Sequence, residues 1–191
     1  MERNVSFSRL RYCIAYHISL IVVCRYGQLG DGTKGTDRLS PVQVRTSVTP
    51  TYLSGATQIA AGESHTCVYM GAVGKFRCWG SNANGQLGDG TNTERLYAPS
   101  GDLTATGIRS IVVGRLGFGH TCGPTGSNNV MCWGSNQKRQ LGTSAGDKLT
   151  PTSVSITGGS VTMMCAGWGH TYVIRTTTTT RATGYNFYGQ V

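Results

Sequence analysis

Apolar residues in this chain come in short runs, and almost every run is broken by Gly, Asn, Asp or Ser within ten residues. "TQIAAG" (57–62), "HTCVYM" (65–70) and "KFRCWG" (75–80) read as three short β-rich segments, the last two joined by the turn "GAVG" at 71–74. No stretch carries an apolar stripe at helical spacing, so the pattern predicts an all-β protein. The longest apolar run, "CIAYHISLIVVC" from Cys13 to Cys24, contains a histidine and falls well short of the ~20 residues that span a bilayer. No membrane span is expected from it; a signal sequence is one reading of it, a hairpin the other.

The same segments recur. The phrase G-Q-L-G starts at Gly27 and Gly85, returns as Arg139-Gln140-Leu141-Gly142, and is begun again at Gly189. G-x-x-H is at Gly62–His65, Gly117–His120 and Gly167–His170; [WT]-G-x-N is at Trp79–Asn82, Trp133–Asn136 and Thr183–Asn186. A period near 50 residues holding about four short strands points to propeller blades, sheets that must pack against neighbours to bury both faces. The expected organisation is an irregular segment at 1–25, itself a candidate degraded repeat hairpin, then units at about 26–84, 85–138 and 139–191.

These residues resemble the regulator of chromosome condensation repeats, in the bacterial-like, cysteine-containing form, because "CWGSNANGQLGDGT" at 78–91 reproduces the most distinctive half of that family's unit. The resemblance implies a seven-bladed β-propeller. The chain has room for about three to four blades, so an incomplete ring is expected: a fragment, a truncated product, or part of a ring completed by another copy. Open propeller flanks would favour self-association.

Cys67 and Cys78 bracket one hairpin turn and Cys122 and Cys132 another, which sets each pair opposite one another as candidate disulfides. In the third unit both positions change together, to Tyr172 and Ala182, as partners would. Cys13 and Cys24 have the same spacing and form a third candidate pair; free core cysteines are the alternative for all three. Cys165, in a strand aligned with Ala60, reads as a small core residue. Paired cysteines would place the protein outside the cell or on its surface; unpaired ones, in cytoplasm or nucleus.

Composition narrows the chemistry. Twenty-eight glycines, 13% charged and 38% hydrophobic residues describe a folded, turn-rich chain. The net charge of +9 is dispersed, with no basic run interleaved with aromatics, so there is no strong nucleic-acid signal. His65, His120 and His170 occupy one repeated position, which suits hydrogen-bonded architecture better than catalysis. Trp79 and Trp133 are of a size to fill the space between blades. Gly80, Gly134 and Gly184, Asn82, Asn136 and Asn186, and Gln28, Gln86 and Gln140 read as structural repeat residues, and Asp31 and Asp89 as turn formers without the further ligands calcium needs. No metal, cofactor or catalytic residue is expected, and the chain reads as no enzyme.

Function is then expected in what does not repeat: the variable segments 38–53, 92–106 and 143–158 and the hairpin tips, with Tyr52, Arg95, Tyr97 and Lys148 as candidate contacts. The leading expectation is a non-enzymatic module that binds another protein. The family resemblance implies an alternative, guanine-nucleotide exchange on a small GTPase, without residues that can be matched to it here.

Overall fold

The computed structural model describes residues 25–49, 51–115, 117, 119–126, 129–144, 146–156, 159–176 and 180–191. The Cys13–Cys24 pair and the 1–25 hairpin, apart from Arg25, lie outside these residues. The described chain is all-β. Strands β1 (Gln58–Ala61), β2 (His65–Tyr69), β3 (Lys75–Gly80) and β4 (Leu103–Thr104) form one antiparallel sheet in chain order. Strands β5 (Val112–Val113), β6 (His120–Pro124), β7 (Asn129–Gly134) and β8 (Lys148–Ser155) form the second in the same order. Strands β9 (Val161–Ala166), β10 (His170–Arg175) and β11 (Thr180–Gly184) form a third sheet of three strands. These are three blades of a propeller arc that does not close. Among the described residues no helix is long and apolar enough to cross a membrane.

The core lies between blades rather than within them. Strand β2 is buried at all five positions, because its sheet is covered on both faces and neither can be polar. Cys67, Phe76, Cys78 and Leu87 pack against Ile108, Ile111, Val113 and Trp133 of the second blade. Cys122, Val130, Cys132 and Leu141 meet Val173 of the third. Behind the first blade, Val68, Trp79 and Ala98 are covered by Val44 and Leu53.

Cys67 is bonded to Cys78 and Cys122 to Cys132, with Cα atoms 4.1 Å apart in both pairs. In the third blade Tyr172 and Ala182 face each other at that position. Cys165 corrects the sequence reading: it is exposed, not core. Its counterpart Ala60 faces a following blade and is partly covered by it, whereas the same face of β9 has no neighbour among the described residues. The segment 143–158 also differs from the variable loop expected, since 148–155 form the full-length strand β8 paired along β7.

Candidate functional site

The repeated phrases converge on the seams between blades. After the third strand, a glutamine turn reaches forward to the next blade. The Gln28 carbonyl accepts from Trp79 Nε1 at 3.0 Å and Thr66 Oγ1 at 2.8 Å. Gln86 repeats this with Trp133 at 3.0 Å and Thr121 at 2.8 Å. Gln140 accepts from Thr171 at 2.8 Å, and Thr183, standing where the tryptophan is missing, donates to the carbonyl of Arg139 at 2.9 Å. The glutamine side chain closes its own turn, Gln86 Oε1 accepting from Asn84 N at 2.9 Å and Gln140 Oε1 from Lys138 N at 2.9 Å. Asparagine templates the same turn: Leu87 N donates to Asn82 Oδ1 at 3.0 Å, Leu141 N to Asn136 Oδ1 at 3.1 Å, and Val191 N to Asn186 Oδ1 at 2.8 Å.

His65 and His120 point into the following blade. His65 Nε2 lies 3.0 Å from Thr121 Oγ1, and His120 Nε2 lies 2.9 Å from Thr171 Oγ1. Each threonine hydroxyl already gives its proton to a glutamine carbonyl, so it accepts from the histidine, which fixes Nε2 as the protonated nitrogen. The result is a relay of histidine, threonine and carbonyl across each seam. A side chain cannot grow where the ring turns: a Cβ on Gly114 would sit 2.2 Å from His120 Nδ1, and one on Gly167 2.3 Å from His170 Nε2. Backbone pairing agrees, with the amides of Gly62, Gly114 and Gly167 donating to the carbonyls of His65, His120 and His170. The structural partner of His120 is therefore Gly114 and not Gly117, the glycine the phrase G-x-x-H picks out; the second unit carries three more residues at this point than the others. Gly80, Gly134 and Gly184 end the third strands at φ of 103°, 95° and 119°, a region closed to ordinary side chains.

Burial pushes His65 down to about 3, helped by repulsion from His120. The unfolded chain takes that proton below the ordinary 6.5. Between 6.5 and about 3 it binds more protons than the fold, so stability is full above 6.5 and falls as pH falls, by up to ~1.4 kcal/mol per pH unit. Burial lowers His170 as well, with the same sign. At Asp31 burial works upward, but hydrogen bonds from Thr33 and Arg38 outweigh it and hold the carboxyl below its ordinary 3.8. At Asp89 bonds from Thr91, Arg95 and Asn82 likewise outweigh burial. Both carboxylates cost stability only below about 3.8, so urea midpoints measured from about pH 7 to pH 4 report the histidines. They are expected to fall with pH, and to fall less in His65→Gln, whose amide can still donate to Thr121. A pH-independent midpoint would contradict this account.

Of the candidate contact residues, Tyr52 pairs by its backbone with Arg45 and is half-exposed. The Arg95 guanidinium holds Asp89 at 2.6 Å while its backbone pairs with Gly80. Tyr97 pairs with Asp31 and carries Arg45 over its ring at 5.6 Å. Both line an open groove with Thr46, Pro99 and Ser100. Lys148 pairs with Gly134 in β8. Among the described residues, no group of three or more His, Cys, Asp or Glu is placed to hold a metal ion.

A cluster missed in the sequence lies on the third blade. Trp168 and Tyr185 meet edge to face at 5.0 Å, Phe187 and Tyr188 at 5.0 Å, and Lys138 Nζ stands 5.5 Å from the centre of the Tyr185 ring. Phe187 and Tyr188 are 75% and 77% exposed. The signal was inside the repeated phrase, where Ser81, Ala83 and Asn84 of the first unit become Tyr185, Phe187 and Tyr188.

Comparison with known proteins agrees with this architecture. The Regulator of chromosome condensation (RCC1) repeat is matched at residues 56–86 and 108–140 by one description of the repeat and at 25–69 and 127–174 by another. The chain is 33% identical to the ultraviolet-B receptor UVR8 of Arabidopsis thaliana over 87% of its own length, and spans 36% of that receptor. Human WBSCR16 superposes with a TM-score of 0.64 at 20% identity, covering 84% of this chain and 40% of that one. Yeast RCC1 (Prp20), in a crystal structure with Kap60, gives 0.56 at 19% identity over 71% of this chain and 31% of that one. The chain belongs to the regulator of chromosome condensation (RCC1) repeat family.

Proposed function

We propose that the chain is a non-enzymatic protein–protein interaction module, repeating at about 26–84, 85–138 and 139–191 behind a separate segment at 1–25. One observation carries this reading. The repeated His65 and His120, Thr121 and Thr171, Gln86 and Gln140, and Trp133 are buried at their own seams, while the exposed Phe187 and Tyr188 stand where the first unit carries Ala83 and Asn84. The yeast relative was crystallised bound to another protein, which supports such a role for the scaffold. Two cross-strand disulfides favour an oxidising compartment, extracellular or cell-surface, over the nucleus. For the same reason nucleotide exchange on a nuclear GTPase is the weaker reading.

Affinity capture from extracellular fluid, with quantified recovery, tests the proposal. Replacing Phe187, Tyr188 and the exposed tip residues Ala72 and Val73 with serine is expected to reduce partner recovery at least about tenfold, with stability unchanged within about 1 kcal/mol. Retention of every partner would overturn it.

A further inference from the structure

Charge is divided unevenly along the chain. Residues 103–191 hold seven Lys and Arg against a single Asp or Glu, Asp147. That carboxylate is engaged within the scaffold, Oδ2 accepting from Asn84 Nδ2 at 2.9 Å and Oδ1 from Asn136 N at 2.8 Å. The pairs Arg38–Asp31, Arg77–Asp102 and Arg95–Asp89 all fall before residue 103. The second and third blades therefore carry positive charge that their own carboxylates cannot balance.

Aromatic surface meets that charge on the face where the third strands end, at the seam between the second and third blades. Trp168 occupies the position of Glu63 and Tyr185 that of Ser81, so an acid and a hydroxyl of the first blade give way to rings. Trp168 lies against the second blade, where a Cβ on Gly117 would stand 3.1 Å from its Nε1, and it meets Tyr185 edge to face at 5.0 Å. Phe187 continues the row, its ring 17° from parallel to that of Tyr185 at 6.1 Å. From the second blade Lys138 reaches over Tyr185 at 5.5 Å. Arg115, exposed, gives its backbone N–H to the Gly167 carbonyl beside Trp168 at 3.2 Å. Glu63, across the insertion, accepts from the Gly117 amide through Oε2 at 2.7 Å. Both blades of this seam are in place. Ala83, the counterpart of Phe187, is exposed in the first blade although another blade and an outer strand follow it, so the row looks outward by its place in the turn.

A row of rings beside an amine and a guanidinium fits a ligand with flat apolar faces and repeated negative charge. Pyranose rings offer such C–H faces, and sulfate groups offer the charge. This face consists of turns and strand ends, whereas an extended peptide docking by its backbone needs a strand edge. We propose that the row binds a sulfated polysaccharide chain carried by an extracellular partner. The rings take the sugar faces, and Lys138 and Arg115 pair with sulfates. The site rests on the interaction-module reading and names the chemistry by which that module recognises its partner, in the compartment that the two disulfides favour.

Fluorescence anisotropy of the full chain with a labelled heparin decasaccharide tests this. Binding is expected, and is expected to weaken at least about tenfold when the decasaccharide is fully desulfated. Any basic protein attracts heparin, so the decisive variants leave the charge alone. Trp168→Ala and Phe187→Ser should each weaken binding about fivefold or more. Should Trp168→Ala not fold, Phe187→Ser, at a side chain 75% exposed, carries the test. Lys138→Gln should weaken binding by a similar factor, while Arg109→Gln, at the hairpin-tip end beside Gly126, should change it less than about twofold. Equal binding of the desulfated chain, unchanged binding in Phe187→Ser, equal losses in Lys138→Gln and Arg109→Gln, or tighter binding of single-stranded DNA than of heparin would each overturn the proposal. If heparin fails to bind while the serine replacements still release partners, the polysaccharide site falls and the interaction module stands.

Discussion

Replacing Trp133 with alanine is expected to lower the stability of the chain by about 3–5 kcal/mol. The indole is fully buried, packs 4.9 Å from the Phe76 ring, and donates to the Gln86 carbonyl of the preceding blade at 3.0 Å. Two sheets bound the space it fills, and their hydrogen-bonded strands cannot move inward to close it, so most of the cavity would persist. The Gln86 carbonyl keeps Thr121 as a donor, so the loss is one of packing more than of an orphaned acceptor. Trp79 makes the same bond to Gln28 but is covered by the partly buried Val44 and Leu53, which can settle into the gap. Trp79→Ala is therefore expected to cost less. Urea denaturation of both variants measures the difference; a Trp133→Ala loss under about 1.5 kcal/mol would show that the seam is not where the stability lies.

Reduction of the disulfides is expected to remove about 2–4 kcal/mol per bond. The bonds close short loops, with sequence separations of 11 and 10, so each restricts the unfolded chain modestly and acts on its own hairpin. The double variant Cys67→Ala/Cys78→Ala should lose close to what reduction of that bond loses, and the effects of the two bonds should add, since they lie in different blades. Thermal unfolding with and without reductant reads the total. A melting temperature indifferent to reductant would argue that the cysteines are packed and not bonded.

Much of this could be read from the chain alone because the repeat supplies its own comparisons. The loss of Cys67 and Cys78 together, as Tyr172 and Ala182, points to a facing pair from the sequence alone. The recurrence of His65, His120 and His170 at one position points to an architectural role, and the hydroxyl partners of His65 and His120 are Thr121 and Thr171 of the following blades. The errors arose where letter patterns and spatial equivalence part. Gly117 satisfies G-x-x-H in the second unit, yet Gly114 lies under the ring, because inserted residues shift the phrase without shifting the fold. Cys165 aligned with a partly covered alanine, but burial at a seam depends on the next blade, which alignment within a unit cannot report. The variability of 143–158 predicts a loop, whereas an outer strand held by backbone bonds tolerates the same variation. The aromatic cluster went unseen because Tyr185, Phe187 and Tyr188 sit inside a phrase already assigned to scaffold.

The seam relay and the cross-strand bonds together fix how the molecule gives way under load. Pulled by its ends, the chain cannot lengthen through Cys67–Cys78 or Cys122–Cys132, so those hairpins stay looped and slack is released only between blades. Among the described residues the third blade has no such bond, so its hairpin can open along its full length where the other two stay closed.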